Sequence, residues 1–212
     1  MSCKAGCQLM DKIKKKLISS LLPKDGCLEY FENFYSDEDA IQLFDILKQE
    51  TNWLSQKIKI FGKEVDQPRL TAWYSDPNTY YTYSGLTLKP TPWTKTLVKI
   101  KKNLESYTKR PFNGVLLNYY RDQNDYMGWH SDNEKELGLN PFIASLSFGQ
   151  ERKFQLKHRK DKEQPIINLD LKSGSLLLMS DEIQSNWLHR IAPTKKPMGP
   201  RINLTFRNIL TT

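Results

Sequence analysis

In RINLTFR, residues 201–207, apolar and polar side chains alternate without a break: Ile202, Leu204 and Phe206 fall on one face, Arg201, Asn203, Thr205 and Arg207 on the other. A period of two predicts a β-strand. The apolar face packs against a helix or a second sheet, and the polar face, taken alone, suits solvent equally well. After Pro111 the chain reads almost entirely this way: GVLLNYY, FIASLSFG, RKFQLK, IINLDLK and SLLLMS are short strands between turn residues, as a sandwich or jelly roll requires. The first half differs. Leu9, Ile13, Leu17 and Leu21 recur every four residues and predict a helix over 9–22 with its lysines outward. CLEYFENFY reads as a strand, and Ser36 with Asp39 predicts a capped helix running to about Gln49. Trp93, Leu97, Ile100, Leu104 and Tyr107 form the stripe of another helix beginning near Pro92. Residues 53–90, rich in aromatic and β-branched residues with Pro and Gly, predict hairpins and loops. The expected fold is mostly β with flanking helices, the N-terminal helices packed outside a two-sheet core.

At 212 residues the chain buries a sizeable core as one domain: a frayed tail over 1–8, then 9–212, with a helical region over 9–110 and the β core over 111–212. The net charge of +8 is clustered, at Lys12, Lys14, Lys15 and Lys16, at Lys95, Lys99, Lys101 and Lys102, and from Arg152 to Lys162. Such a surface attracts phosphate backbones, although it also serves solubility or an anionic membrane. Cys3, Cys7 and Cys27 form neither a zinc set nor a disulfide framework, and a reducing compartment is expected. There is no transmembrane span and no secretory signal pattern, so a soluble, intracellular monomer is expected, cytoplasmic in a bacterium or nuclear in a eukaryote.

WHSDNEKE, residues 129–136, raises the chemical question. Side chains two apart on extended backbone share a face, so His130 and Asp132 can grip one ion, or simply form a polar turn. Of the three histidines, His158 lies in a basic run and is expected at the surface, while His189 precedes the arginine strand by a dozen residues. Two His and one Asp with open coordination positions make the facial triad of non-haem Fe(II) oxygenases. Arg201 and Arg207, about 20 Å apart along a strand, are too distant for one carboxylate but can hold the two ends of a small dicarboxylate through their planar forks.

This ordered set resembles the AlkB family of Fe(II)- and 2-oxoglutarate-dependent dioxygenases from about Phe61 to Leu210. The matching motifs are NYY at 118–120, HSDNE at 130–134, FIASLSFG, NWLHR and RINLTFR. The resemblance implies a double-stranded β-helix (jelly roll) catalytic core, with Fe(II), 2-oxoglutarate and O2 as cofactor and cosubstrates. It makes His130, Asp132 and His189 the iron ligands. Arg201 would bind the distal carboxylate of 2-oxoglutarate, Arg207 would lie near the chelating end, and Asn118, Tyr120, Asn203 and Thr205 would complete that pocket.

The implied reaction is oxidative demethylation of 1-methyladenine and 3-methylcytosine in DNA, with methylated RNA as the alternative target. A catalytically silent nucleic-acid-binding jelly roll is a further alternative, against which the intact triad and arginine pair count. A base in a duplex must leave its stack before such chemistry. The resemblance places substrate contacts at Tyr81 and Tyr83, one of which would stack on the flipped base. It places others at the hairpin tip Ile60, Phe61, Gly62 and Lys63, whose apolar wedge would replace lost stacking. Glu134 would accept a hydrogen bond from the exocyclic amine of the base. Asn133 departs from the acid common among relatives, and Tyr119 stands where several have Arg but is expected to point away from the pocket.

Overall fold

The computed structural model describes residues 17–19, 22–60, 63–83 and 86–210. In chain order the elements are β1 (Leu17–Ser19), β2 (Cys27–Phe31), α1 (Asp37–Glu50), β3 (Lys57–Ile60), β4 (Lys63–Asp66), β5 (Leu70–Ser75), β6 (Tyr81–Tyr83), β7 (Leu86–Leu88), α2 (Lys95–Thr108), β8 (Gly114–Tyr120), β9 (Met127–His130), β10 (Ile143–Gly149), β11 (Arg152–His158), β12 (Ile167–Leu171), β13 (Ser175–Ser180), the single turn α3 (Ile183–Asn186), β14 (Trp187–Ile191) and β15 (Arg201–Arg207). A major antiparallel sheet runs β1-β2-β13-β10-β15-β8-β5, and a minor one runs β12-β11-β14-β9. The hairpins β3-β4 and β6-β7 stand apart from both. This is a mostly β, jelly-roll architecture with helices outside.

The period-two pattern decides which side of the major sheet does what. Val115, Leu117, Ala144, Leu146, Phe148, Ile202, Leu204 and Phe206 point outward and form one core with Ala40 and Leu47 of α1 and Leu97, Ile100 and Leu104 of α2. Each fully buried side chain of this kind stabilises the fold by about 1.5–3 kcal/mol. The opposite face turns inward, where Tyr30, Tyr120, Ile143 and Met179 meet Phe154, Leu156, Leu169 and Leu171 of the minor sheet. Both helices begin on a hydroxyl cap: Ser36 Oγ accepts from Asp39 N at 3.1 Å, and Thr94 Oγ1 from Leu97 N at 3.2 Å.

Several expectations are corrected. Leu17–Ser19 is an edge strand paired with β2, not part of a helix, because antiparallel pairing satisfies its backbone there; residues 9–16, 20 and 21 of the expected helix lie outside the described residues. α2 starts at Lys95 rather than near Pro92. Within 53–90, β5 is no hairpin arm but joins the major sheet beside β8, in register Thr71 with Asn118. That junction needs Gly114, since a Cβ there would collide with the ring of Trp73 on the neighbouring strand. β9 and β14, not expected from the pattern, supply an edge and a central strand of the minor sheet.

Candidate metal and carboxylate site

His130 ends β9 and is the Cα partner of His189 in the middle of β14, so the two imidazoles meet across one ladder with centroids 4.3 Å apart. Between this pair and that of Ile191 with Met127, two residues of β9, Gly128 and Trp129, oppose one of β14, Arg190, a bulge that re-aims the end of the strand. Asp132 lies just beyond, in the loop after β9. One ligand atom from each of His130, Asp132 and His189 falls within 4.8 Å of the others.

Neighbouring groups fix this cluster. His130 Nδ1–H donates to the Gly128 carbonyl at 2.9 Å, which leaves Nε2 as the lone-pair nitrogen. The peptide N–H of Asp132 donates to Gln184 Oε1 at 2.9 Å, and its carboxylate Oδ1 accepts from Arg207 Nη2 at 2.8 Å. The other oxygen lies 4.0 Å from His189 Nε2. Phe154 stacks on His189 at 5.3 Å. Burial drives both histidines toward neutrality; His189, opposed also by His130, falls to about 3. Burial pushes Asp132 up, but Arg207 and then the two histidines outweigh it and hold the carboxyl at about 2. Arg207 is raised above its ordinary value, its desolvation outweighed by Asp132. Two neutral imidazoles and one carboxylate at neutral pH form a donor set that fits a divalent first-row metal.

From the triad the pocket runs along β8 and β15. Asn118, Tyr120, Arg201, Asn203, Thr205 and Arg207 all line it, and the register Asn203 with Asn118 and Arg201 with Tyr120 sets them side by side. The polar face of β15 is therefore interior. Arg201, 1% exposed, gives one hydrogen bond, Nη2 to Ser147 Oγ at 2.9 Å, while its Nε and Nη1 are buried with no partner among the described residues. Burial pulls its pKa down to about 10. A buried guanidinium with two free donors in a polar cavity fits a carboxylate. Asn203 is held by Ser145 Oγ and the Leu146 carbonyl, both at 2.8 Å, and receives the Thr205 hydroxyl at 3.0 Å.

Next to Arg207, Tyr81 is fully buried, tilted on Trp73 with centroids 5.0 Å apart and its ring 5.4 Å from the Arg207 guanidinium. Glu134 is half-buried beside it, and burial, then Asp132, hold its carboxyl above the usual range. Asn133 is exposed. Ile60 pairs with Lys63 across the β3-β4 hairpin, and Phe61 and Gly62 lie outside the described residues, as does the side chain of Tyr83. Tyr119 packs on Trp53, away from the pocket.

Two charged residues are not where the sequence suggests. His158 is no surface group: its side chain is 5% exposed, lying 3.1 Å from Asp25 and edge-on to Trp187. Arg152, grouped with the basic surface run, is 1% exposed. Arg69, Ser145, Ser147 and Gln184 belong to the site but were not singled out from the sequence. Arg69 Nε donates to Asn118 Oδ1 at 2.7 Å, and its charge reaches His130. The two serines had a signal, since alternation in IASLSFG sets both opposite Ala144, Leu146 and Phe148. Arg69 and Gln184 had none, because each reaches its partner only through the fold.

No helix among the described residues is long and apolar enough to cross a membrane. The chain is 37% identical over 187 residues to the DNA oxidative demethylase ALKBH2 of Homo sapiens, a match covering 84% of this chain and 72% of that protein. It is 41% identical over 187 residues to the alpha-ketoglutarate-dependent dioxygenase alkB homolog 3 of Mus musculus, covering 84% and 65%. The solved structure of OsALKBH1 shares the fold at a TM-score of 0.59 and 15% identity, over 90% of this chain and 99% of that one. The 2OG-Fe(II) oxygenase superfamily model matches residues 27–207, and with the His-Asp-His cluster set in the jelly roll, the chain belongs to that superfamily and is a dioxygenase of AlkB type.

Proposed function

We propose that this protein demethylates alkylated bases in DNA, with 1-methyladenine and 3-methylcytosine as the lesions. One observation carries the reading: a neutral His-Asp-His set and a buried arginine with two free donors share one polar pocket, in a chain resembling DNA demethylases along most of its length. His130, Asp132 and His189 would hold Fe(II). Bound there with 2-oxoglutarate and O2, the metal supplies the oxidant: the cosubstrate leaves as succinate and carbon dioxide, and the hydroxylated N-methyl group leaves as formaldehyde.

The chain's own residues hold and orient. Arg201 takes the distal carboxylate of the cosubstrate, with Ser147 fixing the guanidinium. Arg207 carries its charge to the chelating end while holding Asp132 in place. Asn118, Tyr120, Asn203 and Thr205 close the sides of the pocket and keep water from the reacting carbon. Glu134 receives the exocyclic amine of the flipped base, Tyr81 and Tyr83 shape its slot, and Asn133 stands at the rim. Ile60, Phe61, Gly62 and Lys63 enter the stack left by the base, which favours a duplex over a single strand of DNA or RNA.

The test is direct. Purified protein is incubated anaerobically with Fe(II) and 2-oxoglutarate, oxygen is admitted with an oligonucleotide carrying 1-methyladenine, and the methyl mass is followed. The expected result is loss of one methyl group, abolished in Asp132→Ala. Retention of the methyl group by a protein that binds both metal and cosubstrate would exclude this substrate. Phe61→Ala should slow a duplex more than a single strand, and equal loss on both would refute the wedge.

A further inference from the structure

Behind the pocket wall, Tyr120 is flanked by a second buried cation. The Arg201 guanidinium lies 5.1 Å from the Tyr120 ring centroid and that of Arg152 5.7 Å, which holds the two charges within roughly 11 Å of each other. Both residues are 1% exposed. Arg152 does not line the cavity. It is bound by backbone carbonyls, Nη1 to Asp122 O at 3.2 Å and Nη2 to Asp125 O at 2.9 Å and Ala192 O at 3.4 Å.

A guanidinium taken out of water is costly unless paired, and one that sits among carbonyls keeps its full charge. Among the described residues neither arginine has a carboxylate within ion-pair distance; Asp125, whose backbone carbonyl Arg152 binds, turns its carboxylate to Arg121 instead, at 2.8 Å. Arg152 adds to the forces drawing the Arg201 pKa down, after burial. This end of the pocket thus holds two buried positive charges and only one of them is within reach of a ligand.

We infer that Arg152 is a specificity-determining residue for the cosubstrate: acting through space behind Tyr120, it biases the pocket toward a keto acid bearing a second, distal carboxylate. The inference rests on the proposed 2-oxoglutarate site. With an effective dielectric constant near 20, a unit charge acting over roughly 11–14 Å changes binding by about seven- to thirteenfold. The charge attracts a distal carboxylate and does nothing for a chain that ends in a methyl group.

The experiment compares 2-oxoglutarate with 2-oxopentanoate, the same chain without the distal carboxylate, by calorimetry on the full chain loaded with Mn(II). The ratio of the two affinities, taken on one preparation, is insensitive to the fraction folded. Arg152→Gln, which can still donate to a carbonyl, should cut that ratio about seven- to thirteenfold by weakening 2-oxoglutarate alone. Arg152→Lys, which keeps the charge and not the three-way carbonyl geometry, should hold it within about twofold. An unchanged ratio in the Gln variant, or an equal weakening of both acids, overturns the inference and makes Arg152 a structural clamp. If the Gln variant does not fold, the Lys variant decides, since loss of the ratio there also overturns it. Failure of the unmodified protein to prefer 2-oxoglutarate would instead defeat the cosubstrate site itself.

Discussion

Replacing Arg207 by Met in the metal-free protein tests whether the guanidinium is what makes the buried Asp132 tolerable. Arg207 is 2% exposed, as is Asp132, and the two meet at 2.8 Å. Removing one partner strands the other, which typically costs about 3–5 kcal/mol. For a chain of this length each kcal/mol lowers the midpoint by about 2–4 °C, so Arg207→Met should melt roughly 6–20 °C below the parent. Asp132→Asn strands the arginine in the same way. The double variant carries neither charge of this pair and should be much more stable than the sum of the two losses allows, leaving a coupling of about 2 kcal/mol or more. Urea unfolding of all four proteins, with chelator present, measures this cycle. Manganese adds a second reading: Arg207→Met keeps all three ligands, and metal at a hundred times its Kd should return about 2.7 kcal/mol to it, while Asp132→Asn should gain much less. Losses that add to within about 0.5 kcal/mol would show that the pair is not coupled and would refute the argument.

Three further outcomes are expected. Asp125 accepts the Arg121 backbone N–H and side chain at 2.8–2.9 Å; burial raises its pKa, but Arg121 outweighs that and holds it below the ordinary value. With the folded pKa lowered, its contribution is complete above the unfolded value near 3.9 and is lost as the pH falls through the folded one. Asp125→Asn, discounted for the half-exposed Arg121, should cost about 1–2 kcal/mol at pH 7, and the gap should close below about pH 4 in urea titrations. Gly114→Ala drives a methyl group into Trp73 and should destabilise by about 1–3 kcal/mol with a shift in tryptophan fluorescence. Gln184→Ala leaves the Asp132 N–H without its partner and should weaken Mn(II) binding about 10–100-fold by calorimetry, with a smaller loss in melting temperature.

The strands that were legible are those with one uniformly apolar face. β8, β10, β13 and β15 each give alternate residues to the helix-side core, and a period of two survives in the sequence because that core demands it. β9 escaped notice because its bulge breaks the alternation at Gly128 and Trp129, and β14 because it follows the polar turn of α3 directly. The four-residue spacing through Leu17 suggested a helix, yet pairing with β2 decided the matter, as a long-range ladder outweighs a weak local propensity. His158 and Arg152 looked like solvated charge for a related reason: a basic residue in a basic run carries no mark of the carboxylate or carbonyls that the fold brings to it.

The polar face of β15 explains why the site nonetheless stood out. A strand buried on both faces would ordinarily be apolar on both. Arg201, Asn203, Thr205 and Arg207 are all at most 7% exposed, and hydrogen bonds among the described residues leave Arg201 two donors short and Arg207 one. Apolar residues of similar size would satisfy packing at lower cost in desolvation. The fold therefore sacrifices stability along one line of side chains, and that line begins beside the paired arginines at Tyr120 and ends at the Asp132 carboxylate. A deficit so localised is recovered when a ligand carries negative charge at both ends of the line and a metal sits at the carboxylate. Stabilisation on adding metal and dicarboxylate together should exceed the sum of their separate effects, because the cation and the acid's near carboxylate would attract each other inside one desolvated cavity, so each binds more tightly when the other is present.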